Sequence, residues 1–409
     1  MGCALSSNPK PGDVKVEQLR RRLTVSNLDE MGGGGEDAEP TNEHERGLLH
    51  KVTEKSVIEI ADELDEMLNG SPLKSERSSR SGVPKRRVSI GSETDKNANK
   101  RQSFKKKDEY QLGDNLGEEE LKLGYSCRKG LKPESPNQDS WFVLVSENDL
   151  AIYGVFDGHG AKGHDVSNLV KEYLPKLLLV SDKFREAPQE VMQEAFLSMQ
   201  KLIVAHDKKG ILNAQLSGTT CTVVVHDMIK NCLVVAHVGD SRAVMVKRDG
   251  TRAVSEDLTI DHKPDLKEEK AYVERHGGRV AFDGFANHRV YVRNGTYPGL
   301  NMSRALGDIL GSTNAGINNT PDVRVVPLPP RDTEDNTLNA QGTRAVLLIC
   351  SDGVWEFISS SQATDMVLRF DAAHARDAAE KLAKEAWDRW IREEGGFVVD
   401  DITALVIYI

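Results

Sequence analysis

Four apolar runs of this chain end on an aspartate or begin just after one. Leu-Ala-Ile-Tyr-Gly-Val-Phe leads into Asp157-Gly158-His159-Gly160, and Cys-Leu-Val-Val-Ala-His-Val leads into Gly239-Asp240-Ser241-Arg242. Ala-Val-Leu-Leu-Ile-Cys leads into Ser351-Asp352-Gly353, and Asp400-Asp401 stands immediately before Ile402. A single Asp-Gly after a strand is ordinarily a turn. Four such endings in one domain place several carboxylates at one edge of the sheets, where their repulsion calls for a cation. The candidate ligands are the carboxylates of Asp157, Asp352 and Asp400 and the backbone carbonyl of Gly158. A set made only of oxygens favours Mg²⁺ or Mn²⁺ over Zn²⁺. Two such ions a few ångströms apart lower the pKa of a shared water and neutralise a phosphate monoester. His159, two residues beyond Asp157, is then placed to protonate a leaving alkoxide, the alternative being a histidine of a surface turn.

Those carboxylates need a scaffold, and the apolar pattern supplies one. Short Val/Ile/Leu-rich runs predict strands near Trp141–Val145, Leu150–Phe156, Thr219–His226, Cys232–His237, Ala243–Arg248, Arg344–Cys350 and Ile402–Ile409. A 3.6-residue period predicts helices over Val166–Leu179, Pro188–His206, Ser361–Arg369 and Ala372–Arg392. The helices fall in pairs between clusters of strands, instead of one after each strand. That order predicts an α+β domain of antiparallel sheets with helices packed outside, not a doubly wound parallel sheet.

Composition narrows the chemistry further. The 409 residues hold 54 Lys+Arg against 64 Asp+Glu, a formal net charge of -10, which argues against nucleic acid as partner. There is no apolar stretch of about 18 residues to span a bilayer. The opening MGCALSSNPK lacks the apolar core of a secretory signal. Five scattered cysteines (Cys3, Cys127, Cys221, Cys232 and Cys350) offer neither a disulfide framework nor a zinc knuckle, and suit a reducing cytoplasmic setting. None has the arginine six positions on that a cysteine-based phosphatase uses.

The ordered motifs carry a resemblance. Asp-Gly-His-Gly (157–160), Ser-Gly-Thr-Thr (217–220), Val-Gly-Asp-Ser-Arg-Ala (238–243), Asp-His-Lys-Pro (261–264), Arg-His-Gly-Gly (275–278), Ser-Arg-Ala-Leu-Gly-Asp (303–308) and Ser-Asp-Gly-Val-Trp (351–355) resemble the signature of the protein phosphatase 2C family. The resemblance covers roughly residues 120–409 and implies a four-layer αββα sandwich with a two-metal site in a cleft at the sheets' ends. It also implies a serine/threonine protein phosphatase that acts on phosphoserine and phosphothreonine through metal-activated water. Carried over position by position, Asp157 bridges both metals, Gly158 gives its carbonyl, and Asp352 and Asp400 hold one metal. Asp139 orders the waters, and Asp240 with Asp352 forms a weaker third site. Asp265–Leu300 is similar to the family's flap. Where the family places its phosphate-gripping arginine this chain has an apparent insertion, so Arg128 or Lys132 takes that role. It also has Gln138-Asp139 where Glu-Asp is frequent, and Asp400-Asp401 in place of Asp-Asn. Two other readings stand against this one. A catalytically silent scaffold is disfavoured by the complete set of carboxylates, and a two-metal phosphodiesterase by the acidic body and the motif order.

Residues 1–107 read as a separate regulatory arm, with the catalytic domain over 108–409. The arm carries 20 Lys/Arg against 18 Asp/Glu, leaving 34 against 46 for the body. Residues 1–52 and 71–107 have compositions that predict disorder. Between them Ser56 and Glu59 form a capping box, and Val57, Ile60, Ala61, Leu64, Met67 and Leu68 share one face of a helix over about 57–69. That helix packs on the catalytic domain or serves recruitment or autoinhibition. Met1-Gly2-Cys3-Ala4-Leu5-Ser6 matches the myristoylation pattern at Gly2, with Cys3 placed for palmitoylation. Two acyl chains together give stable attachment, so a cytoplasmic protein held at a membrane surface is expected. Arg21-Arg22-Leu23-Thr24, Arg86-Arg87-Val88-Ser89 and Lys100-Arg101-Gln102-Ser103 are either sites for basophilic kinases or solvated basic linker. A monomer is expected, with phosphoproteins as substrates.

Overall fold

In the strands that carry the aspartates, nearly every residue is apolar on both faces, the pattern of strands covered on both sides. The computed structural model describes residues 86–94, 103–114, 116–132, 135–181, 183–330, 337–339 and 342–409. Its strands are β1 (Arg87–Glu93), β2 (Asp108–Gly113), β3 (Leu123–Arg128), β4 (Asp139–Ser146), β5 (Leu150–His159), β6 (Gly218–Thr219), β7 (Cys221–Asp227), β8 (Cys232–Val238) and β9 (Arg242–Asp249). They continue with β10 (Arg252–Asp257), β11 (Gly278–Phe282), β12 (His288–Val292), β13 (Pro298–Leu300), β14 (Leu306–Gly307), β15 (Asp322–Pro327), β16 (Ala345–Cys350) and β17 (Ile402–Tyr408).

One sheet runs β15-β8-β7-β5-β4-β1-β2, with the short β6 and β14 attached beside β5; a second runs β10-β9-β16-β17-β3. All pairings within both sheets are antiparallel. Helices α1 (Gly163–Val180) and α2 (Pro188–Lys208) cover the outer face of the first sheet, where Phe142, Phe156, Val170, Leu174 and Phe196 pack together. Between the sheets lie Trp141, Val143, Tyr153, Met245, Leu347 and Leu405. Among the remaining helices, α3 (Lys267–Arg275) lies beside the small third sheet β11-β12-β13. Helices α4 (Ser360–Val367) and α5 (Ala375–Glu393) close the second sheet's outer face over Val244, Val346, Leu348, Leu382 and Trp390. Strand β9 shows the logic: Ala243 and Met245 face the other sheet while Val244 and Val246 face the helices. The expected αββα sandwich is the observed one.

The arm boundary differs from the expectation. The disordered tract expected over 71–107 contains β1, which pairs with β4 on one side and β2 on the other. The boundary at 107/108 therefore cuts through a hairpin of the sheet. The composition of the tract concealed this, because β1 has only Val88 and Ile90 for the core and gains its order from partners on both sides. Ser89, the residue a basophilic kinase would modify, is fully buried in this strand. The helix expected over 57–69, the acylation sites Gly2 and Cys3, and the stretch 21–24 lie outside the described residues, and of 100–103 only Ser103 falls within them. No helix among the described residues is long and apolar enough to cross a membrane.

Candidate active site

Antiparallel pairing gathers the acidic residues at one edge. Cys350, the last residue of β16, lies opposite Arg242, the first of β9, and Ala404, near the start of β17. Asp240, Asp352 and Asp400, each within two residues of those strand ends, thus share an edge of the second sheet. In the first sheet Asp139 begins β4 directly opposite Asp157 near the end of β5. Hydrogen bonds lock the two edges together. The Ser351 and Thr403 hydroxyls both donate to Asp139 Oδ2 at 2.7 Å. Asp401 accepts from the Gly130 and Gln138 amides, each at 2.7 Å. Asp401 is therefore a brace between the sheets, a role the sequence reading left unassigned although its position beside Asp400 was plain.

The Asp-Gly-His-Gly motif is explained by its two glycines. A Cβ on Gly158 would stand 2.4 Å from the Gly163 carbonyl oxygen and 2.7 Å from that of Gln138. Gly160 has φ +82°, in the left-handed region, and its Cβ would meet the Leu216 carbonyl at 2.4 Å. Thr220 of the Ser-Gly-Thr-Thr motif exchanges two hydrogen bonds with Asp157: its amide donates to the Asp157 carbonyl at 2.8 Å, and its Oγ1 accepts from the Asp157 amide at 3.0 Å.

Electrostatics shows how tightly the carboxylates are gathered. Burial first, then the charges of Asp139, Asp352, Asp400 and Asp240, push Asp157 well above the usual carboxylate range. Asp352 is raised for the same reasons, with burial foremost and Asp240 and Asp400 behind it. Asp139 is pushed up to about 7, by burial and then by Asp401. Each of Asp139, Asp240 and Asp352 also has a buried oxygen, Oδ1, without a hydrogen-bond partner. Buried carboxylate oxygens left unpaired are costly, and a hard divalent cation satisfies them. The set fits Mg²⁺ or Mn²⁺.

His159 is buried and its Nε2 donates to Asp308 Oδ2 at 2.6 Å. Burial works against its charged form, but the Asp308 carboxylate outweighs that, so His159 stays protonated above its ordinary range. Asp308 itself is held at φ 41°, ψ 50°, a left-handed conformation uncommon for a residue with a Cβ. It closes the Ser-Arg-Ala-Leu-Gly-Asp motif, and no signal in the sequence ties it to His159. Asp240 is capped by the Lys263 ammonium.

The two basic candidates separate. Arg128 is paired with Glu380 of α5 and its guanidinium lies 5.1 Å from the Phe104 ring centroid, so it is not at the carboxylates. Lys132 Nζ lies 3.0 Å from Asp400 Oδ1. Of the two basic candidates, Lys132 is the one that stands beside Asp400.

Among the described residues, the trio with ligand atoms within 4.8 Å of one another is His237, His262 and Asp322. Its hydrogen bonds leave little room for a metal. His262 Nδ1 accepts from the Gly239 amide at 3.1 Å, which puts the ring proton on Nε2, facing Asp322 Oδ2 at 3.3 Å. The Arg304 guanidinium holds the other oxygen of Asp322 at 2.8 Å. This is a brace for the loop before Asp240.

The sequence model of the family named Protein phosphatase 2C matches residues 132–394. The chain belongs to the protein phosphatase 2C family. Membership makes it a metal-dependent protein phosphatase. A relative from Arabidopsis thaliana, "Probable protein phosphatase 2C 35", is 31% identical over 69% of this chain and 82% of its own length. "Protein phosphatase 2C 1" of Paramecium tetraurelia is 31% identical over 64% of this chain and 83% of its own. Among solved structures, the serine-threonine phosphatase 2C of Toxoplasma gondii superposes with a TM-score of 0.58 at 22% identity, covering 70% of this chain and 94% of that one. That likeness is one of fold. The 2C match begins at Lys132, so β1, β2 and β3 precede the matched residues.

Proposed function

We propose that this phosphatase hydrolyses phosphoserine and phosphothreonine on proteins at the edge where Asp157, Asp352, Asp400 and Asp240 converge. The observation that carries the reading is the set of buried, mutually repelling carboxylates with unpaired oxygens on Asp139, Asp240 and Asp352. Asp157, the Gly158 carbonyl, Asp352 and Asp400 hold two Mg²⁺ or Mn²⁺ ions, and Asp240 with Asp352 a weaker third. Bound there, such ions supply Lewis acidity toward water and toward the phosphate oxygens. Asp139, fixed by Ser351 and Thr403, orients water at the edge. His159 gives its proton to the leaving alkoxide from Nδ1, since Nε2 is committed to Asp308. The fixed Asp308 carboxylate, working against burial, strengthens the histidine's hold on its proton. The acyl pattern at Gly2 and Cys3 extends the reading to attachment at a membrane surface, with basophilic kinases acting on the arm.

The test is turnover of a phosphoserine peptide. It is expected to need Mn²⁺ or Mg²⁺ and to vanish with chelator; turnover indifferent to chelator would remove the two-metal reading. A second expectation concerns Lys132, whose ammonium is the cation beside Asp400 and is only partly buried. On this reading it leaves Asp400 for the substrate phosphate. Lys132→Met should raise KM about tenfold, the worth of a charged hydrogen bond of about 1.5 kcal/mol, while Arg128→Met leaves KM within about twofold. Equal KM values for the two variants would remove Lys132 from the phosphate site.

A further inference from the structure

The hairpin that precedes the family match reaches the catalytic edge through one buried ammonium. Lys107 sits just before β2, with its amide donating to the Cys127 carbonyl of β3 at 3.1 Å. Its Nζ donates to the carbonyl of Asn137 at 3.4 Å, to Ser140 Oγ at 3.2 Å, and to the carbonyl of Asp139. An ammonium has three protons, and here three acceptors from one four-residue segment surround it. That segment carries Asp139 and the Gln138 carbonyl, which accepts from the Gly158 amide at 3.2 Å.

A second set of bonds reaches the same segment from β1. Lys171 of α1, also buried, donates to the Ser92 carbonyl at 2.6 Å and to Asn168 Oδ1 at 3.1 Å. Asn168 Oδ1 accepts from Ser140 at 2.9 Å, and Asn168 Nδ2 donates to Thr94 at 2.6 Å. Ser167 closes the circuit by donating to the Gln138 carbonyl at 2.7 Å. Buried polar networks of this kind fix a single geometry when complete and fail as a unit when one member is lost.

We infer that Lys107 is a positioning residue for the catalytic edge, through which the N-terminal hairpin β1–β2 sets the backbone of Asn137–Ser140. The inference rests on the proposed reading of Asp139 and Gly158 as parts of the active site. A neutral side chain of similar length at 107 removes the donor shared by the Asn137 and Asp139 carbonyls and Ser140 Oγ and lets Asp139 and the Gly158 peptide shift, and displacements of about 1 Å cost up to about 10²-fold in rate.

The experiment uses the full chain and three variants: Lys107→Met, Ser140→Ala, which removes one of the three acceptors, and Ile90→Val, which trims the β1 core alone. Read out are kcat and KM on a phosphopeptide, Mn²⁺ affinity by calorimetry, and hydrogen exchange of the Gln138–Ser140 amides. Lys107→Met should lower kcat about tenfold with KM within about twofold, weaken Mn²⁺ binding, and speed that exchange. Ser140→Ala should move all three in the same direction by less, while Ile90→Val lowers thermal stability alone. Kcat, Mn²⁺ affinity and exchange in Lys107→Met and Ser140→Ala indistinguishable from wild type would overturn the inference. If Lys107→Met does not fold, Ser140→Ala decides by the same measures. Failure of wild type to show Mn²⁺-dependent turnover would strike the functional reading instead, and exchange at 138–140 would still decide this one.

Discussion

Asp352→Asn is expected to lower kcat on a phosphopeptide by about 10³-fold at saturating Mn²⁺ while raising the thermal stability of the metal-free protein. The two effects have one cause. Asp352 is buried, held above the usual carboxylate range, and has an oxygen with no hydrogen-bond partner. A divalent cation on this edge is worth several kcal/mol of transition-state stabilisation, and losing about 4 kcal/mol corresponds to about 10³-fold. Without metal, the same carboxylate repels Asp240 and Asp400, so the neutral amide relieves strain that the native side chain imposes. The sign with pH follows. A carboxyl whose folded pKa is raised makes folding less favourable as pH rises from its unfolded value, near 3.8, through the folded one. The stabilisation in Asp352→Asn should therefore be larger at pH 8 than at pH 5. A variant that loses activity and stability together would point to simple misfolding. One that keeps its kcat would end the assignment of Asp352.

The second large effect lies in the leaving-group half of the reaction. His159→Gln is expected to cost about 10²- to 10⁴-fold in kcat, the range for losing a positioned general acid. Asp308→Asn should cost less and reveal itself by pH. In the wild type the carboxylate of Asp308 holds His159 protonated beyond its ordinary value, so kcat persists on the alkaline side. Removing that charge lets burial dominate and lowers the histidine's pKa, so the alkaline limb of the kcat profile moves to lower pH. The ratio of wild type to Asp308→Asn should thus grow from pH 6 to pH 8. The same linkage gives stability: the raised histidine contributes fully below its unfolded pKa of about 6.5 and loses that contribution as pH rises through the folded value. A profile in Asp308→Asn parallel to wild type would deny His159 its role as acid.

The carboxylates were legible because their strands are. Runs such as Ala345–Cys350 and Leu150–Phe156 are continuous and apolar, and a buried two-faced strand followed by Asp-Gly marks both the element and its end. Strands β1, β2, β10 and β15 were not legible, since they lie toward the rims of the sheets; β1, β2 and β10 carry few apolar residues, and the three valines of β15 are interrupted by Arg324. β1 and β15 take their order from pairing with β4 and β8, far away in the chain, which local pattern does not encode, while β2 and β10 depend on the neighbouring strands β1 and β9. Asp308 and Asp401 were missed for a related reason. Each acts on a residue more than 100 positions distant, His159 and Gly130, and only the folded geometry reveals the partner. Arg128 shows the same limit from the other side: its residue type suits phosphate, yet its guanidinium pairs with Glu380, 252 residues on.

The interior position of Ser89 has a temporal consequence. Arg86-Arg87-Val88-Ser89 presents two arginines before a serine whose hydroxyl no enzyme can reach once β1 is seated between β4 and β2. A phosphoryl group added there on the nascent chain would bar the strand from its slot, because a dianion has no place on the buried face of the strand, between Leu112 and Leu144 of the neighbouring strands. Phosphate at this serine would therefore act as a timestamp, recording that a kinase arrived before the sheet closed.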